Sequence, residues 1–84
     1  MRNLARQYGG RGVTFNNLAP GVILTARNRA GLEGREAELA ARIPLGRLGR
    51  PDDLVGAAML FCSEAGAYIT GSDLFVDGGW RVAR

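Results

Sequence analysis

The chain has 84 residues, 46% of them hydrophobic, with 11 basic against 8 acidic side chains and a net charge of +3. That length holds at most one small domain, and the apolar content excludes a disordered polar tail. Every basic residue is arginine, and neither lysine nor histidine occurs; this excludes, from this chain alone, a Ser-His-Asp or Cys-His system, a lysine Schiff base or Tyr-Lys pair, a Walker loop and a Cys/His zinc site.

Met1 to Tyr8 reads as the last turns of a helix, with Leu4, Ala5 and Tyr8 on one face and Gly9-Gly10 as a stop. A helix this short does not stand alone in water. Gly12 to Ala19 reads as a strand, because Val13 and Phe15 alternate with polar Thr14 and Asn16. Pro20 has no N–H to give a ladder and is expected to end the pairing. Gly21 lets the backbone turn sharply or approach a ligand closely. Residues 26–43 begin irregular and arginine-rich, then turn helical, with Leu32, Glu36, Leu39, Ala40 and Ile43 near one face. Gly31 and Gly34 argue for mobility at its front, and Pro44 ends it. This stretch reads as a mobile flap carrying a short helix.

Pro51 suits a first helical position, and Asp52 and Asp53 complement the positive end of a helix dipole. A helix is therefore expected to run to about Ser63 or Glu64. Leu54, Val55, Ala58, Met59, Phe61 and Cys62 cover most of its circumference, and a helix apolar nearly all round must be buried on more than one side. Cys62 is the lone cysteine. It is read as a small core residue, the alternative being a reactive thiol, and such a chain suits a reducing cytoplasm. After a connection over 65–71, Ser72 to Asp77 reads as a second strand. Its Leu74, Phe75 and Val76 are contiguous, as in a strand covered on both faces. Asp77-Gly78-Gly79 turns the chain out to Trp80.

No apolar run is long enough to span a bilayer, and Met1-Arg2-Asn3-Leu4 opens no secretory signal. No membrane partner is expected. The arginines are dispersed among acids, as on a solvated surface rather than a nucleic-acid footprint, so no nucleic-acid partner is expected either. Two strands joined by a helical crossover imply a parallel pair and an α/β fold. A sheet of two strands cannot satisfy its own edges or bury its helices. Further strands are therefore expected from an N-terminal part or from another chain.

In parallel sheets ligands bind beyond the carboxyl ends of the strands, and the Pro20-Gly21 loop leaves from such an end. Backbone N–H and C=O groups near Ile23 could bracket a carboxamide, and the Thr25 hydroxyl could reach an amide or phosphate oxygen. The same residues read equally as a plain turn, with Thr25 an N-cap. Gly46-Arg47-Leu48-Gly49-Arg50 reads as the lead-in to a capped helix or as a phosphate cradle. Asp77 reads as a turn former or as a general base or metal ligand. Gly9-Gly10-Arg11-Gly12 follows a helix rather than a strand and reads as a helix stop.

Three stretches occur in this order: Asn16-Asn17-Leu18-Ala19-Pro20-Gly21-Val22-Ile23-Leu24-Thr25, then Ile43-Pro44-Leu45-Gly46-Arg47-Leu48-Gly49-Arg50-Pro51-Asp52-Asp53-Leu54, then Tyr68-Ile69-Thr70-Gly71-Ser72-Asp73-Leu74-Phe75-Val76-Asp77-Gly78-Gly79-Trp80. Together they closely resemble the C-terminal portion of the short-chain dehydrogenase/reductase family. The resemblance covers essentially the whole chain, and the chain covers only about the last third of a family member.

The resemblance implies the C-terminal part of a Rossmann-type doubly wound parallel sheet, with two strands, two to three helices and the N-terminal strands absent. It implies an NAD or NADP cofactor, with Pro20, Gly21, Ile23 and Thr25 facing its nicotinamide end. It also implies that Ala26 to Ala41 cover the substrate, and that the 54–62 helix and 72–77 strand pack against another subunit of a homo-oligomer. The family's catalytic Tyr and Lys, four residues apart, have no counterpart, since Tyr8 is followed by Gly12 and Tyr68 by Ser72; its upstream Ser is absent too. No catalytic residue and no metal ligand is assigned, and Met1 is expected to be an internal methionine of a longer frame or the start of a truncated gene model.

The expected function is a fragment of an NAD(P)-dependent oxidoreductase that moves a hydride between nicotinamide and a small carbonyl or alcohol substrate, inactive by itself. The alternative is a non-enzymatic interaction module that docks on related dehydrogenase subunits.

Overall fold

The computed structural model describes residues 1–83. In chain order the elements are α1 (Arg2–Tyr8), β1 (Asn17–Pro20), α2 (Arg29–Leu32), α3 (Glu36–Ala41), α4 (Val55–Cys62), β2 (Asp73–Val76) and α5 (Trp80–Ala83). Short 3₁₀ turns lie at Gly9–Arg11, Pro51–Leu54 and Glu64–Gly66. The two strands are parallel, with Asn17 opposite Asp73 and Pro20 opposite Val76, and the helical segments between them form the crossover. This is the expected α/β arrangement. α2 and α5 add single helical turns to the expected helices.

The first strand starts later than the alternation suggests. Residues 13–16 face a turn, Thr70-Gly71-Ser72, and not a strand, so their polar groups find other partners. Phe15 N–H donates to Thr70 Oγ1 at 3.0 Å, and Gly71 N–H donates to the Phe15 carbonyl at 2.7 Å. The Asn16 side chain works in both senses, donating to the Ile69 carbonyl at 3.0 Å and accepting from Ser72 N–H at 3.1 Å. The ladder proper then begins, with Asn17 N–H donating to the Ser72 carbonyl at 2.8 Å.

Pro20 does not end the pairing but takes its last position. Donors toward β2 fall at Asn17 and, at 3.1 Å to the Val76 carbonyl, at Gly21. The missing N–H of Pro20 would point to the opposite edge, where a parallel ladder with β2 makes no use of it. β2 is one residue shorter at each end than expected, because Ser72 and Asp77 belong to turns.

Burial is sparse. Among the described residues the buried apolar side chains are Ala5, Leu39 and Ile43. Leu39 lies in α3 and Ile43 in the turn that follows it, both on the weak apolar stripe and ahead of Pro44. α1 is held by Ala5 and by the Tyr8 ring against Phe15, with centroids 5.6 Å apart. By contrast α4 buries none of its residues, and Met59 is 63% exposed. Cys62 is exposed as well, which corrects its reading as a core residue. Its apolar helix is half-buried at Ala57, Leu60 and Phe61 and exposed elsewhere. The radius of gyration is 15.5 Å, against about 12 Å for a compact domain of this length. Among the described residues no helix is long and apolar enough to cross a membrane.

Gly66 is buried where the chain leaves α4, and a Cβ there would collide with the Leu60 carbonyl. Gly56, inside α4, has open space around it. Gly66→Ala is expected to destabilise the chain by about 1–3 kcal/mol, as overpacking does. Gly56→Ala is expected to stabilise by up to about 1 kcal/mol through helix propensity. Urea unfolding of the two variants beside the parent sequence checks both signs.

Candidate functional site at the carboxyl ends of the strands

Because β1 and β2 are parallel and in register, their carboxyl ends lie side by side. Residues 21–25 leave one and Asp77-Gly78-Gly79 the other. The contact between the two exits is close: a Cβ on Gly21 would sit 2.6 Å from Asp77 Cβ and 2.8 Å from Asp77 Cα. Only glycine fits there without a shift. The segment 42–50 threads between the two exits. Leu45 N–H donates to the Gly78 carbonyl at 3.0 Å. On the other side Gly49 N–H donates to the Val22 carbonyl at 2.9 Å, and Leu24 N–H donates to the Gly49 carbonyl at 2.8 Å. These last two bonds form a one-residue parallel bridge between Ile23 and Gly49.

The bridge decides what Ile23 can offer. Val22 C=O and Leu24 N–H turn toward Gly49, so the Ile23 N–H and C=O turn away from it. The Ile23 carbonyl accepts one bond, from Asn28 Nδ2 at 2.8 Å, which leaves its second lone pair. Among the described residues the Ile23 N–H meets no acceptor. One donor and one acceptor are thus presented by a single residue.

Thr25 is part of a reciprocal turn with Asn28. Its N–H donates to Asn28 Oδ1 at 2.8 Å, and its Oγ1 accepts from Asn28 N–H at 3.2 Å. The hydroxyl proton is still available for donation. Asn28 therefore braces both Ile23 and Thr25. It is the residue that sequence reasoning missed, although Thr25-x-x-Asn28 has the spacing of a capping box.

Three cavities flank these loops, one of them, about 420 Å³, lying between Leu24, Ala40 and the Gly46–Arg50 segment. A second, of about 120 Å³, is lined by Val22 and Ile23, by Arg47 and Gly49, and by Asp77 and Gly78. The third, about 400 Å³ and more open than the second, is lined by Pro20, Gly21, Phe75 and Trp80, among others. The groove at Pro20 and the cavity at Leu24 are both in the size range of small-molecule sites, and the 120 Å³ one is not. The four residues singled out on the sequence thus share one segment without lining one cavity. Pro20 and Gly21 face the groove, Ile23 the smallest cavity, and Thr25 its turn.

Asp77 has both carboxylate oxygens committed, accepting from Gly79 N–H and Arg81 N–H at 2.9 Å each. That is the turn-forming role. Arg47 is committed too: its guanidinium grips Asp53 with two bonds of 2.8 and 2.9 Å and also donates to the Leu48 carbonyl at 3.1 Å. Asp53 in turn accepts from Arg50 N–H at 2.7 Å, closing the start of the Pro51–Leu54 turn. The 46–50 segment is accordingly a braced lead-in to a helix. The Arg47 side-chain bond, then the Arg50 N–H, hold the Asp53 carboxyl far below the usual carboxylate range. The Asp53 side chain raises Arg47 above its ordinary value. Among the described residues no group of three or more His, Cys, Asp and Glu is placed to hold a metal ion.

Residues 1–81 match the family model described as enoyl-(acyl carrier protein) reductase. The 2-dehydro-3-deoxy-D-gluconate 5-dehydrogenase of Pseudoalteromonas atlantica is 44% identical over 79 residues, which is 92% of this chain and 31% of that protein. The L-rhamnose 1-dehydrogenase (NAD(P)(+)) of a Sphingomonas species is 43% identical over 84 residues, or 98% of this chain and 33% of that protein. The chain thus spans about a third of the length of the curated relatives it matches. Among solved structures, a Brucella melitensis protein titled short-chain dehydrogenase/reductase SDR:glucose/ribitol dehydrogenase superposes with a TM-score of 0.85 at 32% identity, covering 94% of this chain and 32% of that one. A Beutenbergia cavernae protein, provisionally named an NAD(P) dependent gluconate 5-dehydrogenase and holding NADP at low occupancy, superposes with a TM-score of 0.86 at 47% identity. It covers 96% of this chain and 33% of that one.

A carboxylate with a depressed pKa contributes its stabilisation in full above its ordinary value, about 3.9. The contribution is lost only as the pH falls through the depressed one. Asp53 is therefore expected to stay ionised through the acid range in which an unpaired aspartate protonates. Arg47→Gln should move its titration up toward the ordinary value. Carboxyl carbon shifts in an NMR acid titration of the two chains measure this.

Proposed function

The chain belongs to the short-chain dehydrogenase/reductase family, and on that premise we propose that it forms the nicotinamide-side part of an NAD(P)-dependent oxidoreductase. The observation that carries this is the Ile23 peptide, whose N–H lacks an acceptor while its C=O keeps a lone pair. A carboxamide needs one acceptor and one donor, and Ile23 offers the complement. Pro20 and Gly21 bring the backbone to the end of the sheet, and the Thr25 O–H is the donor for a neighbouring amide or phosphate oxygen. NAD or NADP, when bound, supplies the hydride chemistry between nicotinamide and a small carbonyl or alcohol substrate. This chain's part is to orient the ring and to cover the substrate with residues 26–43, whose rear is anchored by Leu39 and Ile43.

The chain has no lysine to complete a Tyr-Lys pair, so a proton donor has to come from outside it. Alone it binds without turning over. Its setting is cytoplasmic, with no nucleic-acid or membrane partner. A second reading is favoured by α4, an apolar helix with no fully buried residue: the 54–62 helix and 72–77 strand dock on a related dehydrogenase subunit, as in a homo-oligomer, with no chemistry of their own.

Trp80 is the lone tryptophan and lines the groove beside Pro20 and Gly21. NADH or NADPH held by the Ile23 peptide of the same loop should show energy transfer from Trp80 to the reduced nicotinamide. Thr25→Val should weaken the binding severalfold, as loss of one hydrogen bond does. The purified chain should oxidise neither coenzyme in the presence of carbonyl substrates. Absence of transfer with both coenzymes would count against the cofactor reading, and turnover by the chain alone would overturn its inactivity.

A further inference from the structure

The Ile23 peptide owes its aim to Gly49, and Gly49 owes its place to two charged side chains. Gly49 contributes both bonds of the bridge to Val22 and Leu24. A Cβ at this position would lie 2.6 Å from Ile23 Cδ1 and 3.6 Å from the Val22 carbonyl oxygen, so the Ile23 side chain packs over Gly49. The residues on either side of Gly49 are both tied to one ion pair. Arg47 donates to the Leu48 carbonyl at 3.1 Å. Asp53 accepts from the Arg50 N–H at 2.7 Å. Arg47 and Asp53 themselves close with a two-bond fork. The fork thus closes a short ring of chain around Gly49, and the same fork lines the 120 Å³ cavity with Ile23.

We infer that Arg47 and Asp53 are positioning residues that hold Gly49 against Ile23 and so fix the direction in which the Ile23 N–H and C=O point. The inference rests on the cofactor reading of Ile23 for its functional meaning, though the coupling itself does not. Arginine suits the position because its planar fork grips both carboxylate oxygens while a second hydrogen on the same nitrogen reaches Leu48. Lysine keeps the charge but not the fork. Electrostatic attraction alone would make the two interchangeable.

Amide hydrogen exchange on the 84-residue chain separates a latch from general support. Arg47→Lys is the first variant. Asp53→Asn is the second, since it keeps an acceptor for the Arg50 N–H and spares the helix start. Each is expected to lower protection of the Gly49 and Leu24 amides about tenfold, as loss of a charge-assisted bond does. The β1–β2 ladder amides of Asn17 and Gly21 should stay as they are. An equal fall at all four amides would make the pair merely structural and overturn the inference. So would unchanged protection, or a parent chain with no protection at Gly49. Titration with NADH and NADPH then reads the functional half. Where the parent chain binds, both variants should bind about tenfold more weakly, and equal affinity overturns the positioning role. No shift of the Ile23 amide with either coenzyme, alongside the expected exchange pattern, fails the cofactor reading and leaves the latch standing.

Discussion

The parallel, in-register pairing of Asn17–Pro20 with Asp73–Val76 is the constraint on which the site depends. It joins residues more than fifty positions apart and brings two carboxyl ends to one edge. The Asn16 side chain reinforces it at the entry, bonding the Ile69 carbonyl and the Ser72 N–H. Gly21 extends it at the exit, donating to the Val76 carbonyl. Once both exits are adjacent, the 42–50 segment has only a narrow way through, and its bonds to Gly78 on one side and to Val22 and Leu24 on the other set the geometry of every loop around Ile23.

Outside this site much of the apolar surface is left exposed, at Val55, Met59, Tyr68 and Val82 among others. A two-stranded parallel sheet leaves two edges and two faces to be satisfied from outside. Here Phe75 is 44% exposed on β2, with the Arg81 guanidinium 4.3 Å from its ring centroid. The all-round apolarity of Val55–Cys62 has the same meaning. A helix of that composition is stable when neighbours lie on more than one side, and among the described residues it is no more than half-buried at Ala57, Leu60 and Phe61. The chain therefore carries more hydrophobic driving force for association than it satisfies by its own fold.

Much of this was legible in the residues, and the parts that were not share a cause. Helix ends marked by Pro44 and Pro51, the parallel order of the strands and the turn at Asp77 all follow from local chemistry: a missing N–H, a crossover length, a short carboxylate beside glycines. The start of β1 did not follow, because whether residues 13–16 form a ladder depends on what lies opposite, and Thr70-Gly71-Ser72 is a turn. The burial of Cys62 failed for a related reason. Apolar sequence reports what a helix is suited to, and its surroundings decide what is buried. Asn28 and the Arg47–Asp53 fork were half visible. Their spacings are those of caps, but a spacing does not say that the Asn28 amide also reaches back to Ile23, or that an arginine six residues ahead of Asp53 closes on it.

The site on which the proposed function rests is made of peptide groups more than of side chains, and this bears on how such a segment keeps its role. An N–H and a C=O are present at every non-proline position. What makes the pair at Ile23 usable is that its neighbours on both sides are engaged by Gly49 and its own groups are turned out. The residue identities that matter are then those that control backbone approach and direction. Gly21 permits contact with Asp77, Gly49 permits contact with Ile23, Asn28 braces the carbonyl, and Arg47 with Asp53 fix the ring of chain around Gly49. Substitution of Ile23 by another aliphatic residue leaves the donor and acceptor in place, whereas a side chain added at Gly21 meets the Asp77 backbone and shifts the loop. On the proposed function, recognition at this edge is a property of the loop's path, and the path is held by hydrogen bonds from residues that would touch no ligand themselves.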